Sequence, residues 1–408
     1  MTPSRWTILA VCVLGFMQTH LHRVGFAPLI PTFIANLGIS YVAASTIMTA
    51  YFWTYAAVQV PVGVLTDRLG SRRVMLAFLS LLVLGVIAFS FSHTYGQSLL
   101  ARCLIGLGTA AVWLPGLRLI NEWFPPGERG RATGLFSAGG GVGGTMALLI
   151  IPLLSERLGW RLSYALLLIP VLLTLVLVFL VVHPSAARPR PSGEVKAAPL
   201  ALHGPLVVLG RVLGTRAMWP FNISVLFSYG AYISLITWLP MFLVRDEGLS
   251  RSLAGLVTAL ITAGTIVSWP MAGFISDRLG RRKPLYLFSQ AMSAVICLGF
   301  ALLVPGSGFA AAAVVAGLAG LLLGGMVTPF VMVTELFPPE LVGTASGVVN
   351  TFCFVGSLLI PVALGYVLDR TGSFPNAFIA CAAVQTLAFL SAVFTRETGP
   401  ARRGIMVA

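Results

Sequence analysis

Charge is scarce in this sequence, and acid is scarcest: 9% of the 408 residues are charged, and only twelve are Asp or Glu. Soluble domains average about 25% charged residues, so a chain this poor in charge would not stay in water. No acidic cluster lies within an apolar run, and neither H-E-x-x-H nor G-x-S-x-G occurs. These absences argue against an enzyme, and no metal or other cofactor is expected. The glycines at 134, 139–141, 143 and 144 are not followed by Gly-Lys-Ser/Thr, so they are not a phosphate loop; they read as small-residue helix packing. The five cysteines (Cys12, Cys103, Cys297, Cys353 and Cys381) contain no C-x-x-C pair and read as small core residues. Lysine is down to two residues against 24 arginines, a bias we read, with the compactness of the chain, as bacterial.

Long apolar runs dominate instead. The chain is 57% hydrophobic with a mean hydropathy of +0.94. Runs near the ~20 residues that cross a bilayer number twelve. They fall near 7–35, 42–66, 74–92, 98–122, 132–155, 162–182, 218–243, 252–276, 284–304, 308–334, 343–367 and 374–395. The first is too long, and too continuous with the second, for a removable secretory signal. The expected fold class is an all-α membrane protein of twelve transmembrane helices. Residues 183–216, rich in Pro, Ala, Gly and basic residues, read as a partly flexible linker between a six-helix bundle at 1–182 and another at 217–396, with a tail at 397–408.

The two halves repeat each other. Gly63-Val-Leu-Thr-Asp67-Arg68-Leu-Gly70-Ser-Arg72-Arg73 returns 210 positions on as Gly273-Phe-Ile-Ser-Asp277-Arg278-Leu-Gly280-Arg281-Arg282-Lys283. Glu122-Trp-Phe-Pro-Pro returns as Glu335-Leu-Phe-Pro-Pro, offset by 213. An even number of segments per half makes these parallel repeats, which pack about an axis along the membrane normal with a shared central cavity. The net charge of +14 could suggest nucleic acid, but most of the 26 Lys and Arg lie on the side of the two repeated loops. By the positive-inside rule this is orientation: loops, linker and both termini are cytoplasmic, in the inner membrane. No nucleic-acid partner is expected, and the chain reads as a monomer.

The spacing G-x-x-x-D-R-x-G-x-R-R between the second and third segments of each half resembles the signature loop of the major facilitator superfamily. In these loops Asp67 and Asp277 are placed to cap a neighbouring helix and to pair with arginines such as Arg131. Glu122 and Glu335 are placed to bridge Arg68 and Arg72 in one half and Arg278 and Arg282 in the other. We expect these contacts to latch the cytoplasmic side. Arg118 is expected to snorkel to the interface.

Two cations lie at membrane depth. Arg23 is about 17 residues into the first segment and Arg102 is inside the fourth, with no acid nearby in either. A charge there costs several kcal/mol unless it faces protein or water. An anionic substrate would supply the missing partner, and guanidinium suits carboxylate or phosphate. For Arg102 the other reading is a brace that bonds backbone carbonyls. His20 lies one helical turn before Arg23 and His22 is adjacent to it; either could titrate near neutral pH or serve as a neutral hydrogen-bonding group. Tyr51, Tyr55, Tyr229, Tyr232, Thr328, Phe330 and Asn350 are candidates for the cavity wall.

Arg23 with Pro31, Tyr51-Phe-Trp-x-Tyr55-x-x-x-Gln59-x-Pro61, Arg102-x-x-x-Gly106 and Tyr229-x-x-Tyr232 before Trp238-Leu-Pro240 look like the anion:cation symporter branch of that superfamily. The resemblance implies a carrier of a small organic anion such as a sugar acid, coupled to protons by alternating access. It implies that Arg23 and Tyr55 contact the anion and that Arg102 links binding to protonation. Two positions that often carry proton-binding acids in that branch hold His22 and Thr109 here, so uniport or anion exchange stays open. Nitrate/nitrite exchange and drug efflux are the rival carriers; a non-transporting sensor is the rival of another class.

Overall fold

The computed structural model describes residues 4–182 and 205–399, all of whose regular structure is helical. In chain order the helices are α1 (Arg5–Val24), α2 (Ile30–Leu37), α3 (Tyr41–Ala57), α4 (Gln59–Leu69), α5 (Ser71–Ser90), α6 (Tyr95–Thr109) and α7 (Trp113–Trp123). They continue as α8 (Pro126–Leu158), α9 (Trp160–Ala165), α10 (Leu168–Val181), α11 (Pro205–Gly214), α12 (Trp219–Arg245) and α13 (Arg251–Leu279). The last are α14 (Lys283–Leu302), α15 (Gly308–Leu322), α16 (Thr328–Leu336), α17 (Pro339–Thr371) and α18 (Phe374–Val393). Eleven spans among the described residues are long and apolar enough to cross a membrane. The expected second segment is not among them. It is the pair α3–α4, interrupted at Val58, and with it the helices follow the twelvefold order expected.

The interruptions follow from proline chemistry. Proline has no N–H for the carbonyl four residues back. Pro61 therefore cannot bond the carbonyl of Ala57, where α3 stops. Pro28 sits in the 3-10 turn Ala27–Leu29 between α1 and α2, and Pro329 is the second residue of α16, just past the turn Leu323–Val327 that separates it from α15. Broken helices leave backbone carbonyls at membrane depth, where no water satisfies them. Other groups must do so.

The described residues form two compact units. One gathers the residues up to 182 with 236–263; the other gathers 205–235 with 264–399. Within the first, α1 and α8 meet through glycine. A Cβ on Gly143 would overlap the backbone of Met17, and one on Gly139 would stand 2.9 Å from the carbonyl oxygen of Val13. The small-residue reading of this stretch therefore has a steric basis. Also in this unit, Glu156 at the end of α8 accepts hydrogen bonds from the backbone N–H and hydroxyl of Ser252, and Arg245 donates to the Tyr41 hydroxyl.

Of the stretch read as a linker, 183–204 and the tail beyond 399 lie outside the described residues. Pro205–Gly214 is helix α11 rather than flexible chain. Its residues Leu209, Val212 and Leu213 pack with Met218, Phe221, Tyr286 and Phe337 in the core of the second unit. A helical apolar period was present there, hidden by the basic, proline-rich residues before it.

Candidate functional site

Arg23 lies in the last turn of α1 and is 6% exposed. The chain turns at Gly25, and α3, packed against α6, presents three aromatic residues to the guanidinium. The Arg23 carbon Cζ stands 5.2 Å from the ring centre of Tyr55 and 5.8 Å from those of Tyr51 and Phe52. Ring faces carry partial negative charge and hold a cation without neutralising it. The Arg23 Nη1 lies 3.2 Å from His20 Nε2. Because guanidinium only donates, that nitrogen accepts and His20 is the Nδ1–H tautomer here. Gly140 of α8 leaves room for the imidazole: a Cβ there would lie 2.8 Å from its Nδ1 and Cε1. The sequence contains no acid before Asp67.

Arg102 is placed differently. It is fully buried on α6 and donates to four backbone carbonyls. Nη1 reaches His22 O at 2.6 Å, Nη2 reaches Arg23 O and Met48 O at 3.2 Å each, and Nε reaches Ile47 O at 3.4 Å. The first two carbonyls belong to the last turn of α1, which has no further turn to supply N–H donors. Arg102 thus closes the broken end of α1, and its charge sits at the negative end of that helix. This geometry is the bracing role rather than direct contact with an anion.

His22 is fully buried and faces away from Arg23's partners, with Nδ1 3.4 Å from the hydroxyl of Tyr164 on α9. Thr109 is fully buried and donates to the Tyr51 hydroxyl at 2.8 Å. Tyr51 donates in turn to the carbonyl of Thr19 at 3.1 Å. The candidate site in the first unit therefore gathers Arg23 with His20, Tyr51, Phe52 and Tyr55, with Arg102 bonded to the carbonyls behind it. Phe52 stands in the Tyr51-Phe-Trp-x-Tyr55 stretch without a role of its own there, and nothing in the spacing of Tyr164 marks it.

In the second unit Tyr229, Tyr232 and Phe330 line a cavity of about 130 Å³ completed by Thr265, Trp269, Leu323, Met326 and Val327. It has no charged lining residue. Thr328 is buried and donates to the carbonyl of Gly325 at 2.7 Å, and Asn350 is half-buried on α17; neither lines this cavity. Among the described residues of this unit, the one buried Lys or Arg is Arg282, at the start of α14.

The two repeated loops differ in their wiring. Gly70 (φ +83°) and Gly280 (φ +62°) hold the positive φ that the turn requires and that other residues rarely adopt. In the first loop Asp67 pairs with Arg118 at 3.2 Å, and Arg118 also pairs with Glu122 at 2.8 Å. The expected partners are displaced. Arg131 and Arg68 are exposed, and Arg72 donates to the carbonyl of Phe179 at 2.7 Å. Arg118 wins because it is one turn before Glu122 on α7. In the second loop Arg282 bonds Asp277 and meets Glu335 at 3.0 Å, as expected, while Arg278 lies against the Phe274 ring instead. Among the described residues neither aspartate caps a helix. The start of α14 is capped from the tail: Glu397 accepts from the backbone N–H groups of Arg282 at 2.8 Å and Lys283 at 3.2 Å. Position 331, which corresponds to Arg118 at the offset of 213, is Val331, so the second repeat draws its cation from the loop itself.

Comparison with known proteins agrees with this architecture. The profile of the Major Facilitator Superfamily matches residues 8–254 and 242–405. The chain is 26% identical to a probable galactarate/D-glucarate transporter of Bacillus subtilis, covering 99% of this chain and 94% of that one. It is 24% identical to the hexuronate transporter of the same organism, covering 96% and 94%. Among solved structures it resembles a bacterial homologue of the human lysosomal transporter Spinster (TM-score 0.77, 18% identity, 97% and 95% covered) and a D-xylose–proton symporter (TM-score 0.75, 17% identity, 97% and 98% covered).

Proposed function

This chain belongs to the major facilitator superfamily, and on that footing we propose that it carries a small organic anion across the bacterial inner membrane by alternating access, together with a proton. It is a multi-pass membrane transporter of anions rather than an enzyme. The observation that carries the finer reading is Arg23: a guanidinium 6% exposed, held by aromatic faces, in a sequence with no acid before residue 67. A carboxylate bonded there gains a charge-assisted contact in a medium of low dielectric. The relatives named for galactarate/D-glucarate and hexuronate favour a sugar acid or a similar carboxylate. In the second unit, the lining at Tyr229, Tyr232 and Phe330 offers hydroxyls and aromatic faces but no competing charge.

With no carboxylate at Thr109 or before Arg23, the proton is carried by His20. In the empty carrier Arg23 donates to its Nε2, which keeps that nitrogen unprotonated. An anion that draws the guanidinium away frees Nε2 to take a proton and donate it to the second carboxylate oxygen. Binding of anion and proton is then mutually favourable. The loops at Asp67 and Asp277 latch the cytoplasmic side, and the carrier works as a monomer with both termini in the cytoplasm.

Melting of the detergent-purified protein against a panel of anions, beside Arg23→Ala, tests the site, because ligands of the folded state raise the melting temperature by mass action. A shift with carboxylates that is absent in the variant supports the reading; a shift that survives Arg23→Ala rejects it. A relative named as a nitrite extrusion protein, 24% identical over 341 residues, makes nitrite and nitrate necessary members of the panel. Against an inorganic anion stands the absence of a buried membrane-depth cation among the described residues of the second unit.

A further inference from the structure

A second, separate cavity of about 240 Å³ lies in the first unit, lined by Phe33, Asn36, Leu37, Ser92, His93, Trp160 and Arg161. Every one of these residues is at a span end. Residues 33–37 end the first candidate span, 92 and 93 lie between spans ending at Ser90 and starting at Tyr95, and 160–161 follow the span ending at Leu158. With alternating spans, these are all ends of odd-numbered crossings, so the cavity opens at one membrane face, opposite the repeated loops. That is headgroup depth.

The chemistry of the lining has one sign. Arg161 is stacked on Trp160, its Cζ 4.4 Å from the ring centre. Its Nη2 donates to Ser92 O at 3.0 Å and to His93 Nδ1 at 3.2 Å. The guanidinium is therefore fixed in place while Nε and Nη1 keep their N–H groups for a ligand. Because His93 accepts at Nδ1, its neutral form carries the proton on Nε2, a further donor. Asn36 is exposed and adds an amide, and no acid lines the cavity. Beside these donors stand apolar side chains left uncovered: Phe91 is 73% exposed, Leu162 51% and Leu158 47%. Donors at headgroup depth flanked by bare apolar groups match an amphipathic phosphate.

We propose that this crevice binds the phosphate of a phospholipid headgroup in the non-cytoplasmic leaflet, with Arg161 and His93 as its donors and the acyl chains along Phe91 and Leu162. Phosphate is matched by guanidinium, and exposed apolar area at the span ends gives lipid an advantage over a free ion. The site is independent of Arg23 and of which anion is carried.

The test is melting of the detergent-purified full chain with phosphatidylglycerol in mixed micelles, against the same micelles without it and against inorganic phosphate at equal concentration. Phosphatidylglycerol is expected to raise the melting temperature of the wild type, and Arg161→Ala to need at least about tenfold more lipid for the same shift. His93→Ala, at an exposed position, gives the same weakening if Arg161→Ala does not yield folded protein. No shift in the wild type, undiminished lipid response in the variants, or a full shift from inorganic phosphate overturns the proposal.

Discussion

Replacing Arg102 with methionine separates bracing from substrate contact. Methionine keeps much of the side-chain volume but removes every donor. The carbonyls of Ile47 and Met48 lie inside α3, where helical N–H groups remain to bond them. Those of His22 and Arg23 end α1 and lose the donors that reached them at 2.6 and 3.2 Å. A buried carbonyl left without a partner costs about 1–3 kcal/mol, so two cost about 2–6 kcal/mol. Removing a buried charge returns part of this, because guanidinium no longer has to be desolvated. The orphaned carbonyls dominate, since no water in lipid replaces the lost donors. Arg102→Met should therefore melt well below the wild type, and whatever fraction folds should still respond to the anion. Arg23→Met should do the reverse, losing the anion response with the smaller loss of stability. The measurement is thermal unfolding of both variants with and without saturating anion. An Arg102→Met protein that melts like the wild type yet ignores the anion would refute the bracing assignment.

Gly143→Ala should destabilise the first unit by about 1–3 kcal/mol, the usual cost of overpacking, because its Cβ meets the backbone of Met17 rather than a flexible side-chain end; thermal unfolding checks it, with Gly134→Ala, where nothing lies within 4 Å, as the control. The tail contact predicts a pH effect. Burial opposes ionisation of Glu397, but backbone donation from Arg282, Gly399, Lys283 and Thr398 outweighs it and holds the carboxyl below its ordinary 4.5. A depressed folded value means stability that is complete above 4.5 and lost as pH falls through the folded value. Glu397→Gln should melt below the wild type at neutral pH, and that gap should close only under acid; a gap that widens on acidification contradicts the sign.

Much of this structure was legible in the residues alone. Twelve apolar runs, the duplicated Asp-Arg loops and arginine at membrane depth without an acid in its segment lead to a two-fold repeated anion carrier because lipid permits so few alternatives. What was not legible depends on where chain ends and helix faces land. Arg102 reads as a buried cation, but whether it faces a ligand or a carbonyl is decided by the break after Val24, whose open end it meets. Asp67 reads as a partner for Arg131, but Arg118 lies closer because α7 brings Glu122 and Arg118 to one face. The matching loop has Val331 at that place and must use Arg282, so near-identical motifs hold different ion pairs. The difference has energetic weight. Asp67 keeps 85% of its side chain exposed, so its bridge is worth about 0–1 kcal/mol, whereas Arg282 keeps 9% and holds Glu335 at 19%. The Glu397 cap was out of reach, since it joins the tail to a loop more than a hundred residues earlier.

The central claim, that an anion enters through Arg23 with a proton on His20, is tested most directly in liposomes holding the purified carrier and an internal pH dye. Adding the anion found in the melting panel should drive its uptake and acidify the lumen in the wild type. His20→Gln should still exchange labelled for unlabelled anion but move no protons, and Arg23→Ala should do neither. Uptake without acidification in the wild type, or proton movement unchanged in His20→Gln, would contradict the account.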